Sequence, residues 1–494
     1  MPEFVSAVWI TFFFYLLVMV AIGYVAYQRN TDAGDYFLGG RQLGPWPAAL
    51  SAGASDMSGW LLLGLPGYAY ASGVESFWLA LGLFLGTWAN WRFMAARLRV
   101  FTESIHDAIT IPEYLRYRFN DTSGGLQVLS ACFILLFFLF YTSSGLVAGG
   151  KLFETVFGLD YPIAVVVGTL CIVSYTFFGG FLAVSWTDLV QGLLMAVALM
   201  IVPLTVMTMH NVPVFHEVRQ INPSLMNMFT DNTGKPLGIM AIVSLLAWGL
   251  GYFGQPHILA RFAAIRSVND IGFARRIAVS WTGISMLGAL AVGFTGLVFT
   301  HHFLSGSLED AETIFMVLVN QLFHPVVAGV LLAAILAAIM STADSQLLVS
   351  SSALAEDLYK PLIRPDASEK EVMRIGQLGV VVIALLAMWL ALDEGSSVLS
   401  LVAYAWAGFG AAFGPVLLAS VYWRGMSRAG AFSGILMGGV TVVVWKSLDG
   451  GVFDLYEILP GVAMAVFGII AGSKLKPDNS AEIFDMARAQ LPKN

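Results

Sequence analysis

Carboxylates and hydroxyls inside long apolar runs come first, because an Asp at the centre of a membrane helix costs roughly 2.5–3.5 kcal/mol and such residues usually face a protein interior. Asp56 stands in Leu50-Ser51-Ala52-Gly53-Ala54-Ser55-Asp56-Met57-Ser58-Gly59-Trp60, and Asp344 in Ala337-Ala338-Ile339-Met340-Ser341-Thr342-Ala343-Asp344-Ser345. Asp188 closes Ser185-Trp186-Thr187-Asp188 near a predicted helix end, where a capping or snorkelling role also suits it. Around Asp344, the 3.6-residue helical repeat puts Ala338, Ser341 and Ser345 on one face with Thr342 beside them. Hard cations take oxygen ligands. For Na⁺, two hydroxyls plus carbonyls released by a broken helix meet that need. The alternative is that the hydroxyls bond back to their own helix.

Two segments carry the signals of broken helices. The first is the small, polar run Ser51–Gly59, and the second is Ala247-Trp248-Gly249-Leu250-Gly251-Tyr252-Phe253-Gly254-Gln255-Pro256-His257, with three glycines and a proline. In lipid each unpaired backbone group costs several kcal/mol, so such breaks stand only where protein, water or ligand satisfies them. A pair of breaks at matching positions in two halves points to an inverted repeat with a binding site at the midplane. Close helix packing is the blander account of the same glycines.

The elements that must hold these residues follow from composition. Of the 494 residues, 58% are hydrophobic and 12% charged, about half the charge of a soluble domain. The apolar residues fall into blocks long enough to cross about 30 Å of hydrocarbon. The expected fold is an all-α polytopic membrane protein with about thirteen transmembrane helices, at 7–27, 46–69, 76–93, 126–154, 161–178, 185–209, 239–257, 277–301, 325–354, 376–391, 397–422, 429–445 and 458–475. Helices 2–6 would form one repeat (46–209) and helices 7–11 the other (239–422). Helix 1 (1–45 with its loop) and helices 12–13 (423–475) would be peripheral, and 476–494 a tail, all in a single transmembrane domain. The loop 94–125 suits a helix lying at the interface.

Basic residues test the count, because cytoplasmic loops collect Lys and Arg. With the amino terminus outside and the carboxyl terminus cytoplasmic, Lys151, Arg219, Lys235 and Lys446 fall outside and every other Lys and Arg inside, Arg261 among them. The first apolar run lacks a signal-peptide pattern and is kept as helix 1. Cys132 and Cys171 read as buried free thiols. The net charge of −7 is spread out, no basic stripe suggests nucleic acid, and nothing calls for an obligatory protein partner. Neither a phosphate-binding Gly-Lys loop nor a hydrolase motif occurs, so an enzyme is not expected.

At these segments the chain resembles the sodium/solute symporter family, in its sodium/proline branch. The resemblance rests on Ala48–Trp60, Gly179–Asp188, Trp248–Phe262, Glu356-Asp357-Leu358-Tyr359-Lys360 and Ala403–Pro415. It implies the leucine-transporter-type 5+5 inverted repeat and uptake of L-proline with Na⁺ across a bacterial inner-membrane type of plasma membrane. It implies sodium held by the carbonyls of Ala54, Met57 and Ala338 with the hydroxyls of Ser341 and Thr342. The solute would sit near Tyr141, Trp248, Tyr252 and Pro256, beside Ser55, Asp56, Ser58, Gly59, Trp60 and Gln255. Some members hold a second cation near the counterpart of Asp188, and here Asp344 and Ser345 join that region. On a helix, Trp248 and Tyr252 would share a face and form an apolar wall, although both also suit an aromatic belt. The rival readings are another solute in the same family, such as a sugar, pantothenate or choline, and a membrane sensor on a transporter scaffold.

Overall fold

The computed structural model describes residues 2–27, 33–176, 180–210, 213–304, 308–393 and 395–492. The predicted end of helix 5 at 178, Gly179 of the matching block, Arg29 and Lys493 lie outside them. A helix stands at each of the thirteen expected positions: α1 (Pro2–Tyr27), α2a (Pro45–Asp56) with α2b (Leu65–Ser72), α3 (Ser76–Ala89, continuing to Ser104), α4 (Gly125–Phe157), α5 (Tyr161–Thr176) and α6 (Phe181–His210). Then come α7a (Ile239–Ala247) with α7b (Pro256–Ala264), α8 (Ile271–Phe303), α9 (Pro325–Ser352), α10 (Glu369–Ala391), α11 (Val398–Tyr422), α12 (Arg428–Lys446) and α13 (Ile458–Leu475). Among the described residues ten helices are long and apolar enough to cross a membrane, or eleven if the bent α7 pair is one span. One of the ten takes in Trp60–Ser104 as a single run, and α5 is a shorter apolar helix.

Burial separates centre from rim. Every residue of α9 from Leu331 to Leu348 is buried, as expected of a helix that is apolar all round and enclosed by others. In contrast α1 exposes Phe13, Phe14 and Leu17 along one side, and α10 exposes Trp389, a lipid-facing pattern. Cys132 is exposed and Cys171 half-buried, and neither is in a disulfide. The expectation of buried thiols fails for Cys132, because α4, though central, turns that side outward, and is met only in part for Cys171.

Loops expected on one side do meet one another. Lys151 Nζ lies 2.7 Å from both Asp310 and Glu312 of the α8–α9 connection, and Glu312 also accepts the N–H groups of Val398 and Leu399 at the start of α11. At the other end Arg41 donates to Asp107 (2.7 Å), Thr102 (3.1 Å) and the carbonyls of Ala263 and Ala108. Burial lowers the Arg41 pKa, with Asp107 opposing. The 94–125 stretch does hold a short helix, Ile111–Arg118, capped by Thr110, and a helix not expected, Ser480–Ala489, lies in the tail.

Candidate functional site

The first break falls where small residues and Asp56 were expected to place it. Met57 leaves the helical region (φ −87°, ψ 76°), and the Ser58 N–H turns to the Asp56 carbonyl at 3.0 Å. In a continuous helix that N–H would have bonded Ala54. The Ala54 carbonyl is thereby released, and α9 supplies its partners: Ser341 Oγ at 2.8 Å and Thr342 Oγ1 at 3.3 Å. Ser341 Oγ also lies 3.1 Å from the Ala338 carbonyl. Four of the expected sodium-ligand oxygens are thus brought together, with Met57 fully buried in the adjoining turn. Back-bonding, the alternative for these hydroxyls, is also present: Ser341 Oγ reaches the Ala338 carbonyl of its own helix, and Ser345 donates to the Ser341 carbonyl at 2.9 Å.

Asp56 organises the other side of the break. Its carbonyl accepts from Tyr141 Oη (2.9 Å) and Trp60 Nε1 (3.0 Å), and its Oδ2 accepts from Tyr252 Oη at 2.6 Å. Asn90, where α3 widens into a π-turn, donates to the Tyr252 carbonyl at 3.0 Å. A cavity of about 10 Å³ adjoins Asp56, Thr87, Asn90 and Tyr252. Buried polar atoms are normally paired, yet Asp56 Oδ1, Gln255 Oε1 and both ring nitrogens of His257 make no hydrogen bond. His257 stacks edge-on to Tyr141 at 5.9 Å, so these unsatisfied atoms gather at the two breaks and Pro256 opens the helix between them.

The second break differs from expectation in one respect. Trp248–Gly254 is a 3₁₀ helix with three residues per turn, so residues four apart do not share a face. The Trp248 ring stacks on Tyr456 (5.3 Å), whereas Tyr252 meets Trp406 edge-on (4.9 Å) and points to Asp56. The single wall expected from Trp248 and Tyr252 is therefore split by Trp406, whose Nε1 donates to the Trp248 carbonyl at 2.7 Å. Glycines let this segment sit backbone to backbone with its neighbours: a methyl on Gly249 would collide with the Gly82 carbonyl, one on Gly254 with the Phe409 carbonyl.

The region expected to hold a second cation contains a fixed one. Arg261 was expected in a cytoplasmic loop, but α7b carries it inward and it is fully buried. Its guanidinium donates to Ser51 Oγ (2.9 Å), Ser345 Oγ (2.5 Å) and Asp188 Oδ2 (3.3 Å), and Ser51 donates to the same Asp188 oxygen at 2.6 Å. Asp344 is buried on α9, one residue before Ser345. The basic-residue count treats any Arg near a helix end as solvated, so it missed Arg261. The signal available was its setting, Leu259-Ala260-Arg261-Phe262-Ala263, an isolated charge between apolar neighbours. Asn90, His257 and Trp406 were also not foreseen.

Residues 36–438 match the sodium:solute symporter family. The sodium/proline symporter of Salmonella typhimurium is 50% identical over 471 residues, covering 94% of this chain and 92% of the relative. The chain belongs to the sodium:solute symporter family. Another relative, the high-affinity proline transporter of Bacillus subtilis, is 47% identical over 94% of this chain and 98% of its own length. A solved Na⁺-coupled sialic acid symporter, in a substrate-bound outward-open state, superposes with a TM-score of 0.78 over 96% of this chain and 99% of its own, at 19% identity. That likeness gives this symporter its leucine-transporter-type fold. It is a multi-pass membrane transporter and not an enzyme.

Proposed function

We propose that the chain imports L-proline together with Na⁺ by alternating access. The observation that carries this is the meeting of the Ala54 carbonyl with the Ser341 and Thr342 hydroxyls at the break in α2, in a chain about half identical to proteins named sodium/proline symporters. Arrival of Na⁺ turns both hydroxyls so that their lone pairs face the ion. The ion then joins Ala54, Met57 and Ala338 to Ser341 and Thr342, clamping α2 to α9. The proline carboxylate takes the backbone N–H groups at Gly59 and Trp60, where the chain winds again after the break, with the Ser55 and Ser58 side chains beside them, as anions do at helix starts. Its ammonium is accepted by Asp56 Oδ1 and Gln255 Oε1. Trp60, Tyr141, Tyr252 and Pro256 enclose the ring, and Trp248 bounds the site from behind Trp406.

Asp188 and Ser345 hold the Arg261 charge, and Asp344, buried next to Ser345 on α9, joins Asp188 in handling a proton or second cation between α6 and α9. Residues 46–209 and 239–422 are the two repeats that move against each other, the amino terminus lying outside and the tail in the cytoplasm. One positive charge moving inward releases about 2.3 kcal/mol per 100 mV, and each tenfold of gradient costs about 1.4 kcal/mol. One Na⁺ at that voltage sustains roughly a fifty-fold proline gradient. Uptake of a panel of labelled amino acids into proteoliposomes, under Na⁺, Li⁺, K⁺ or pH gradients, tests this. Proline should accumulate when Na⁺ is outside, and accumulation of another solute with proline ignored would refute the substrate.

A further inference from the structure

Where α12 passes to α13, a recess of about 370 Å³ opens against α7a and the start of α11, a volume in the range of small-ligand pockets. Its walls are aromatic. Trp248 stacks on Tyr456 with 23° between the planes, and Trp445 meets Phe453 at 4.8 Å. Hydrogen bonds fix these rings: Trp445 Nε1 donates to the Leu455 carbonyl (3.0 Å) and Tyr456 Oη to the Ala403 carbonyl (2.7 Å). Glu457 lines the same recess with its side chain 9% exposed. Its Oε1 makes no hydrogen bond and has the half-exposed Lys446 Nζ at 3.9 Å. Glu457 precedes α13, where a negative charge suits the helix dipole, but Oε1 caps no N–H there. With Asp449 and Asp454 on the rim, three carboxylates face one ammonium.

Aromatic faces attract cations, and a buried carboxylate supplies the opposite charge, whereas anions are repelled by the excess of carboxylates. We propose that this recess binds a compact organic ammonium ion, at a site separate from the midplane one. Trp445, Phe453 and Tyr456 wall the cation and Glu457 pairs with it. The recess and the midplane site share a boundary, since Trp248 floors one and its carbonyl holds Trp406 against Tyr252 in the other.

The test is calorimetric titration of tetramethylammonium chloride into the purified full chain with Na⁺ and L-proline saturating, and again without proline, so that a wrong proline assignment leaves the answer intact. Saturable binding is expected in both, with none for the neutral isostere tert-butanol. Glu457→Gln should weaken it at least tenfold. Phe453→Ala, at a part-exposed position of the short 3₁₀ turn Gly451–Asp454 between α12 and α13, should do likewise. Absence of saturable binding, equal binding of tert-butanol, or undiminished affinity in both variants would overturn the assignment.

Discussion

Ser341→Ala separates the fold from the ion. In the structure the Ser341 hydroxyl gives one neutral hydrogen bond to Ala54, with a second contact to Ala338, and a bond of this kind contributes about 1 kcal/mol to stability. Thr342 remains within 3.3 Å of the same carbonyl, so the helix break keeps a partner and the variant should fold. With Na⁺ bound the same oxygen faces a full charge, and interactions with charged groups are worth about 1.5–3 kcal/mol. At about 1.4 kcal/mol per tenfold, the Na⁺ concentration for half-maximal uptake should rise roughly ten- to hundredfold. Ser341→Thr, which keeps the hydroxyl, should rise least. The assay is initial proline uptake in proteoliposomes across a Na⁺ series, with protein per vesicle quantified. Unchanged Na⁺ dependence in both Ser341→Ala and Thr342→Ala would refute the reasoning and leave these hydroxyls as helix-packing groups.

Tyr252→Phe removes the donor to Asp56 Oδ2 while keeping the ring against Trp406. It should weaken proline binding by about tenfold, near 1.4 kcal/mol, and equal binding by calorimetry would place the solute elsewhere. Arg261→Ala leaves Asp188 buried without its guanidinium, a loss of about 3–5 kcal/mol. Thermal unfolding in detergent should show it, with Arg261→Ala/Asp188→Asn recovering part of the loss, and no recovery would mean that the two charges are not coupled. A reporter fused after Arg364 should read as cytoplasmic and a cysteine at Thr233 should react from outside, whereas labelling on opposite sides would overturn the orientation.

The positions of the helices and both breaks were legible because lipid forces long apolar runs and makes every interruption costly. That hydroxyls of α9 face carbonyls of a broken helix was legible from the residues, whereas the choice of Ala54 as the partner of Ser341 and Thr342 came from the family resemblance. What the sequence withheld depended on local helix type and on depth. Tyr252 and Trp248 part company because Trp248–Gly254 winds with three residues per turn, a choice made by packing against α3 and α11. Arg261 was read by its distance from a helix end, yet α7b runs inward far enough to bury it. His257 and Asn90 gave no pattern at all, being single polar residues whose meaning lies in partners more than a hundred residues away.

The glycine contacts of α7 bear on rates. Helices that interlock through side chains must unseat knobs from holes to slide, each step waiting on rotamer exchange. Where Gly249 lies on Gly82 and Gly86, and Gly254 on Phe409, there are no knobs, and the surfaces meet as smooth backbone. At those two points the segment is a bearing surface, and the Trp248–Tyr456 stack and the Trp406 bond to the Trp248 carbonyl are the contacts that its displacement would have to break. Even one methyl at Gly249 would turn the bearing into a stop.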